Sequence, residues 1–294
     1  MGLKAKVSCC WRIIGTGIAF SVFMVTAAAL HLTVFPLVRA LPGPREHKKI
    51  RVRRVIQLSF RFFIKLCVML GLIRKPNVTG LHNIPKTNPC ILIANHPTLL
   101  DVVLLCSVFR GCTCVVKNPL WKNKFLGGGA RAAEYIPNRS GIQFVRACEA
   151  ELRQGRSLII FPEGSRSPEN ELRPFSRGAA YLALRTRVPI VPVVMTCSPQ
   201  TLMKHQGWYD VPERRPSMGA KICPPIDISV DPTETLTGHG GVDRLTSKFE
   251  AFFRAQLNQD AWHALHQLRA SVSKGTAATS EPLGALAIKE PNNL

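Results

Sequence analysis

Hydrophobic and polar positions divide the chain into two textures. From Ile13 to Val38 there are 26 residues without a charged side chain, and His31 is the one titratable group among them. A bilayer core needs about 20 apolar residues to be crossed, so the run is long enough. A cleaved signal peptide is the rival reading, with Lys4, Lys6 and Arg12 as its basic region and Ala27-Ala28-Ala29 as its cleavage site. The length of the run favours a retained helix. Gly15, Gly17 and Pro36 also permit a bent, shallow insertion, so spanning and dipping both stay open. A second apolar segment, Val55 to Ile73, carries Gln57, Arg61 and Lys65 every four residues. On a helix these make one polar stripe, which suits the membrane interface, and packing on a globular domain is the alternative.

From about Asn77 short apolar runs alternate with helical patterns, the mark of an α/β sheet. Strands are expected at Ile91–Ile93, Cys112–Lys117, Ser157–Phe161, Val188–Met195 and Met218–Cys223. Pro189 and Pro192 suggest an edge or irregular place for the fourth. Helical spacing marks Ile142–Gln154, Arg177–Arg187 and the run from Val242 to Leu257, and a helix is expected to begin at Pro97 and reach about Val108. Gly127-Gly128-Gly129 reads as the terminator of a basic turn or helix over Lys117–Leu126. The expected organisation is a membrane-anchoring helical pair over residues 1–76, a globular domain over 77–270 and a disordered tail over 271–294.

Charge changes the picture. The net charge of +21 suggests nucleic acid at first sight. Residues 1–75, however, hold 14 Lys and Arg against one acid, so +13 of the excess lies beside the apolar segments. Arg39, Arg45, Lys48, Lys49, Arg51, Arg53 and Arg54 form its densest cluster. A basic flank on an apolar segment fits anionic phospholipid headgroups on the cytoplasmic side, not nucleic acid. The ten cysteines include no Cys-x-x-Cys pair and no grouping with histidine suited to a metal. Several sit inside apolar runs as small core residues, and free thiols in that number fit a reducing compartment.

Two clusters carry chemistry, and each leaves a strand. In the first, His96 stands at the strand-to-helix turn and Asp101 follows five residues later. Within a continuous helix those positions would point some 140° apart, but a ring in the turn before the helix can fold back onto the carboxylate. A carboxylate against imidazole holds one tautomer and favours proton abstraction, here from an alcohol. In the second, Phe161-Pro162-Glu163-Gly164-Ser165-Arg166-Ser167, Gly164 permits a close turn, Arg166 offers a fork for phosphate or carboxylate, and Glu163 can accept from a hydroxyl. Read alone, Glu163 and Arg166 would pair on the surface.

These two motifs, followed by Val188-Pro189-Ile190-Val191-Pro192-Val193, stand in the order and spacing of the glycerolipid acyltransferase family, which residues 77–255 resemble. The resemblance implies a mixed, mostly parallel sheet flanked by helices. It implies acyl transfer from an acyl carrier protein or coenzyme A thioester to the hydroxyl of a lysophospholipid, 1-acylglycerol-3-phosphate above all, at an inner membrane and without metal or other cofactor. His96 would be the general base and Asp101 its partner. Glu163, Gly164, Ser165 and Arg166 would bind the acceptor, and Val188–Val193 would shape the acyl side. Ser165 is the alternative nucleophile, which the family pattern disfavours. One departure stands out. The family's second motif, Gly-x-x-Phe-Ile-x-Arg, falls on Ala132–Asn138, with Asn138 where arginine is expected and Arg139 next to it. Either Arg139 substitutes, helped by Lys117, or the acceptor is another lysolipid such as a lyso-aminolipid. A catalytically silent lipid-binding protein is the third reading.

Overall fold

The computed structural model describes residues 3–86, 88–123, 127–139, 141–168, 171–228 and 239–276. Seven strands form one sheet: β1 (Asn77–Thr79), β2 (Ile91–Ala94), β3 (Thr113–Lys117), β4 (Ile136–Asn138), β5 (Leu158–Ile160), β6 (Ile190–Ser198) and β7 (Ser217–Ile222). Their order is β1-β7-β6-β2-β5-β3-β4, and among these described strands only β6 and β7 pair antiparallel. The sheet is therefore mixed and mostly parallel. β2 is buried along its whole length, which explains its unbroken apolar run. Leu92 and Ala94 join the core under the helices that span Arg45–Met69 and Asp101–Val108, and the alternate Ile91 and Ile93 face the other side.

Several sequence expectations shift by a turn. The helix after β2, α4 (Asp101–Val108), begins four residues beyond Pro97, because Thr98 and Asp101 close a local turn before it. Pro192 lies in the interior β6 and not at an edge. Its carbonyl accepts from Cys223 N–H at 2.9 Å just past the end of β7, so the missing N–H falls where that neighbour has already stopped. The triple glycine begins a helix, α6 (Gly127–Ala132), after the short α5 (Asn118–Lys122). A Cβ on Gly128 would stand 2.6 Å from His31 Nδ1, so glycine is needed there for close approach. Helices α7 (Ile142–Arg153) and α8 (Gly178–Thr186) match the expected spacing, and Gly155 follows α7 at φ +75°. α9 runs from His239 to Thr276, past the expected start of the tail, and residues 277–294 lie outside the described residues. Phe249 and Phe253, in the part of α9 that belongs to the sheet unit, are fully buried.

The N-terminal segment is a rod of α1 (Leu3–Ala29), a π turn (Leu30–Val34) and α2 (Phe35–Ala40). The π turn precedes Pro36, and Phe35 N–H reaches back to Leu30 O, the wide turn by which a helix admits a proline without a clash. The 34 residues Val7–Ala40 are long and apolar enough to cross a membrane, and an 18-residue stretch within them has mean hydropathy 2.1. Yet the rod belongs to the same compact unit as the sheet, residues 1–253, and is fastened to it at both ends. Arg12 donates to Glu213 O at 2.8 Å and Trp11 to Leu70 O at 2.9 Å, while Arg39 donates to Ala132 O at 3.3 Å.

Helix α3 (Arg45–Met69) corrects the reading of the basic cluster and of the polar stripe. Val52, Ile56, Phe63, Ile64 and Cys67 are buried in the core beside α4. Gln57 is buried too, and its amide donates to Ser107 O and Val108 O, carbonyls left open at the end of α4. Lys49 and Arg53 do not face headgroups. Both are buried against Glu151 of α7, which also bonds Thr113 and accepts from Arg156 at 2.7 Å. These partners hold the Glu151 carboxyl well below the usual range even though burial opposes it. What remains exposed on α3 is Arg45, His47, Ile50 and Arg51 in its first two turns and, further on, one stripe of Arg54, Leu58, Arg61, Phe62, Lys65 and Met69.

Candidate active site

Strands β2, β3, β4, β5 and β6 run parallel, so the segments leaving their carboxyl ends gather at one edge of the sheet, where open α/β sheets bind ligands. His96 follows β2, Lys117 ends β3, Asn138 ends β4, Phe161–Ser167 follows β5, and the 199–216 segment follows β6.

Asn95 fixes the point at which the chain leaves β2. Its carboxamide donates to Met195 O at 2.9 Å and accepts from Met195 N–H at 2.7 Å, clamping the turn to β6. His96 Nδ1 then lies 2.9 Å from Asp101 Oδ2. Asp101 is fully buried. Its Oδ2 also accepts from Thr98 N–H at 2.7 Å and its Oδ1 from the Thr98 hydroxyl at 2.9 Å. With this carboxylate on one side, Nδ1 carries the proton and the free lone pair sits on Nε2. The ring packs on Phe161 at a centroid distance of 4.5 Å and lines a cavity.

Glu163 stands behind the histidine and does not line that cavity. Its carboxylate accepts from His96 N–H at 2.8 Å, from Arg173 N–H at 3.0 Å and from the Ser167 hydroxyl. Ser167 N–H in turn donates to His96 O at 2.7 Å. Burial pushes the Glu163 carboxyl up, and these hydrogen bonds oppose it. Gly164 is exposed at φ +62°, a left-handed conformation that turns the loop back over the site. Arg166 lines the cavity with one nitrogen committed, since its Nη1 donates to Leu202 O at 2.7 Å and Met203 O at 2.9 Å. Lys117 donates to Ser165 Oγ at 3.0 Å. Burial lowers the Lys117 ammonium, and the charges of Lys204, Arg166 and Arg173 lower it further. Asn138 lines the cavity, whereas Arg139 is exposed, bonds Asn118 Oδ1 at 3.3 Å and does not line it.

The cavity measures about 780 Å³ and has two unlike ends. One holds His96, Lys117, Ser165, Arg166 and Lys204; the other is walled by Phe20, Phe23 and Leu30 of the N-terminal rod and Phe60 and Phe63 of α3. Much of the apolar wall thus comes from the N-terminal helices, and residues such as Leu100, Val103, Val116 and Ile160 complete it. Val188–Val193, expected on the acyl side, supplies none of the lining residues: most of it is a buried central strand. Thr98, Asn95, Ser167 and Arg173 are positioning residues absent from the sequence reading, although Thr98 lies between His96 and Asp101 and Ser167 ends the stretch quoted from Phe161. An arrangement with an oriented imidazole, a cationic end and a long apolar end suits proton removal from the hydroxyl of an anionic amphiphile.

Comparison with known proteins bears on the same residues. Positions 75–196 match the acyltransferase family. The 1-acyl-sn-glycerol-3-phosphate acyltransferase of Pseudomonas aeruginosa is 30% identical over 210 residues, covering 69% of this chain and 76% of that protein. The chain belongs to this acyltransferase family. The enzyme of the same name from Saccharomyces cerevisiae is 36% identical over 185 residues, 60% of this chain and 57% of its own length. The chain spans 37% of the Brassica napus chloroplast relative and 65% of the human alpha form. In fold, the crystal structure of the 1-acyl-sn-glycerophosphate acyltransferase from Thermotoga maritima superposes with a TM-score of 0.64 at 22% identity, over 87% of this chain and 97% of that one.

Proposed function

We propose that the protein transfers a fatty acyl chain from a coenzyme A or acyl carrier protein thioester to the free hydroxyl of 1-acylglycerol-3-phosphate, giving phosphatidic acid. The observation that carries this reading is His96, bonded to a buried Asp101 on one side and open to a cationic and apolar cavity on the other. His96 Nε2 takes the acceptor's hydroxyl proton as that oxygen bonds to the thioester carbonyl carbon. Collapse of the tetrahedral intermediate breaks the carbon–sulfur bond, and the imidazolium returns the proton to the departing thiolate. Asp101 faces the imidazolium formed midway. Lys117, Ser165, Arg166 and Asn138 border the acceptor head, with Gly164 at its outer rim and Arg139 turned away to Asn118. Glu163 acts by holding the His96 backbone. The apolar end receives acyl chain. No metal or other cofactor enters the step.

The same reading seats the protein on an inner membrane from its cytoplasmic side. Arg12 and Arg39 lie 27 residues apart on the rod, about 40 Å at 1.5 Å per residue. A crossing rod would put those two contacts on opposite sides of a core about 30 Å thick and drag the polar domain through it. Lying along the surface, the rod instead offers Val25, Leu32 and Leu37 to lipid beside the Arg54–Met69 stripe of α3.

The test is acyl transfer by membranes holding the full chain, with both donor types, to lysophosphatidate and to a panel of other lysolipids. Transfer to lysophosphatidate that His96→Ala abolishes is expected. Transfer surviving in that variant would remove the general-base role. Asn138 favours one second reading, a different lysolipid as acceptor, and activity confined to such a lipid would select it. No transfer to any acceptor would leave the silent lipid-binding protein.

A further inference from the structure

Three cavity-lining cations converge on the polar end of the site, and they come from three different strand ends. Lys117 ends β3, Arg166 follows β5, and Lys204 follows β6 on the 199–216 segment. The backbone that presents Lys204 is pinned on both sides. Leu202 O and Met203 O accept from Arg166, Leu202 O also accepts from Leu99 N–H at 3.3 Å, and Met203 N–H donates to Gln206 Oε1 at 3.0 Å. The cation is thus placed by the same guanidinium that borders the site. Among the described residues none of the three cations is in an ion pair: Asp101, whose charge reaches Arg166, is fully buried under Thr98 and His96, and Glu163 is taken up by His96 N–H, Arg173 N–H and the Ser167 hydroxyl. Cations set together without a protein acid repel one another until an anion arrives. The opposite rim has lost a charge, because the cavity-lining position at the end of β4 is the neutral Asn138 and Arg139 points elsewhere.

We infer that Lys204 is a specificity-determining residue that binds the phosphoryl group of the acceptor and supplies, from the β6 side, the positive charge that Asn138 does not supply from the β4 side. The inference rests on the acyltransferase reading above. Phosphoryl groups also occur in the donor, in coenzyme A and in the carrier protein's pantetheine arm, so the test must tell the two sources apart. Lys204 acts with Lys117, whose ammonium is held below its ordinary range by burial and by Lys204 itself. A bound dianion relieves both.

The experiment uses the full chain in lipid nanodiscs. Binding of lysophosphatidate and of neutral monoacylglycerol is measured by titration calorimetry for the wild type, Lys204→Met and Lys204→Arg, and steady-state KM and kcat are measured for acceptor and donor. Lys204→Met is expected to weaken lysophosphatidate binding and raise its KM about tenfold, the loss of one charge-assisted contact. Monoacylglycerol binding, donor KM and kcat should stay within about twofold, and Lys204→Arg should restore most of the acceptor affinity. Unchanged lysophosphatidate binding in Lys204→Met overturns the inference. So does a loss that falls equally on monoacylglycerol, or one that appears in the donor KM instead. A wild type that binds lysophosphatidate in the Lys204-dependent way yet never acylates it would count against the acyltransferase reading alone.

Discussion

Thr98→Val isolates the polar bracing of the His96–Asp101 pair from its packing. Thr98 is fully buried, and valine fills the same shape, so no cavity or clash is created. Two hydrogen bonds vanish: the hydroxyl's to Asp101 Oδ1 at 2.9 Å and that from Leu100 N–H to the hydroxyl at 3.1 Å. Each leaves a buried partner unsatisfied at about 1–3 kcal/mol. A loss of roughly 2–6 kcal/mol follows, or a drop of about 4–24 °C in Tm for a domain of this size. The backbone bond from Thr98 N–H to Asp101 Oδ2 survives, as does the contact to His96, so the carboxylate stays near the ring but loses one of its anchors. A kcat reduced about 10- to 100-fold with little change in KM is expected, the size of effect that small misplacement of a catalytic group produces. Thr98→Ser is the control, since it keeps the hydroxyl and loses only a methyl group. Tryptophan fluorescence melts and initial rates of acyl transfer on the same preparations read both quantities. Wild-type stability and rate in Thr98→Val would refute the bracing argument, and so would equal damage in Thr98→Ser.

Other outcomes follow from the same geometry. Asp101→Asn should lower kcat by about 10²–10⁴ at nearly constant acceptor affinity, read by comparing turnover with calorimetric binding. Glu151→Gln should cost about 3–5 kcal/mol in a denaturant melt at pH 7, because the buried Arg53 loses its carboxylate and Lys49 and Arg156 fall back on the more exposed Glu46 and Glu134. The depressed Glu151 carboxyl contributes its stability fully above the unfolded value of about 4.3 and loses it as pH falls towards the folded value, so melts of the wild type below about pH 5 should decline more steeply than those of the variant. Ala27→Phe fills part of the apolar end of the cavity and should shift acyl preference to shorter chains in a donor competition assay. Leu58→Glu with Phe62→Glu removes exposed apolar side chains from α3 and should cut retention on anionic vesicles in a flotation assay without altering the melt.

What could be read from the sequence was local. Pro89–Leu105 announces a strand, a turn and a helix within one stretch, and the His96–Asp101 contact forms inside that stretch. The one local error, a helix begun at Pro97, came from treating proline as a helix start when Thr98 was already bonding forward to Asp101. Longer-range partners were invisible. Lys49 and Arg53 looked like headgroup ligands because Glu151 lies about a hundred residues away. The glycines 127–129 looked like a terminator because nothing in their neighbours showed that His31 would lie against Gly128. Lys204 sat in a segment with no motif. Its signal was positional, the first residues past the carboxyl end of a parallel strand, and that needed the strand order.

The rod held at Arg12 and Arg39 has a consequence that follows from the function proposed above. A site seated on one surface would draw its acceptor from a single monolayer and return the two-chain product to that same monolayer. A lipid with two chains takes up more area than one with a single chain. Each turnover would therefore expand one side of the bilayer and leave the other untouched, building a curvature stress. That stress is relieved only when some separate process moves lipid across. Growth of the sheet would then be paced jointly by acylation here and by translocation elsewhere.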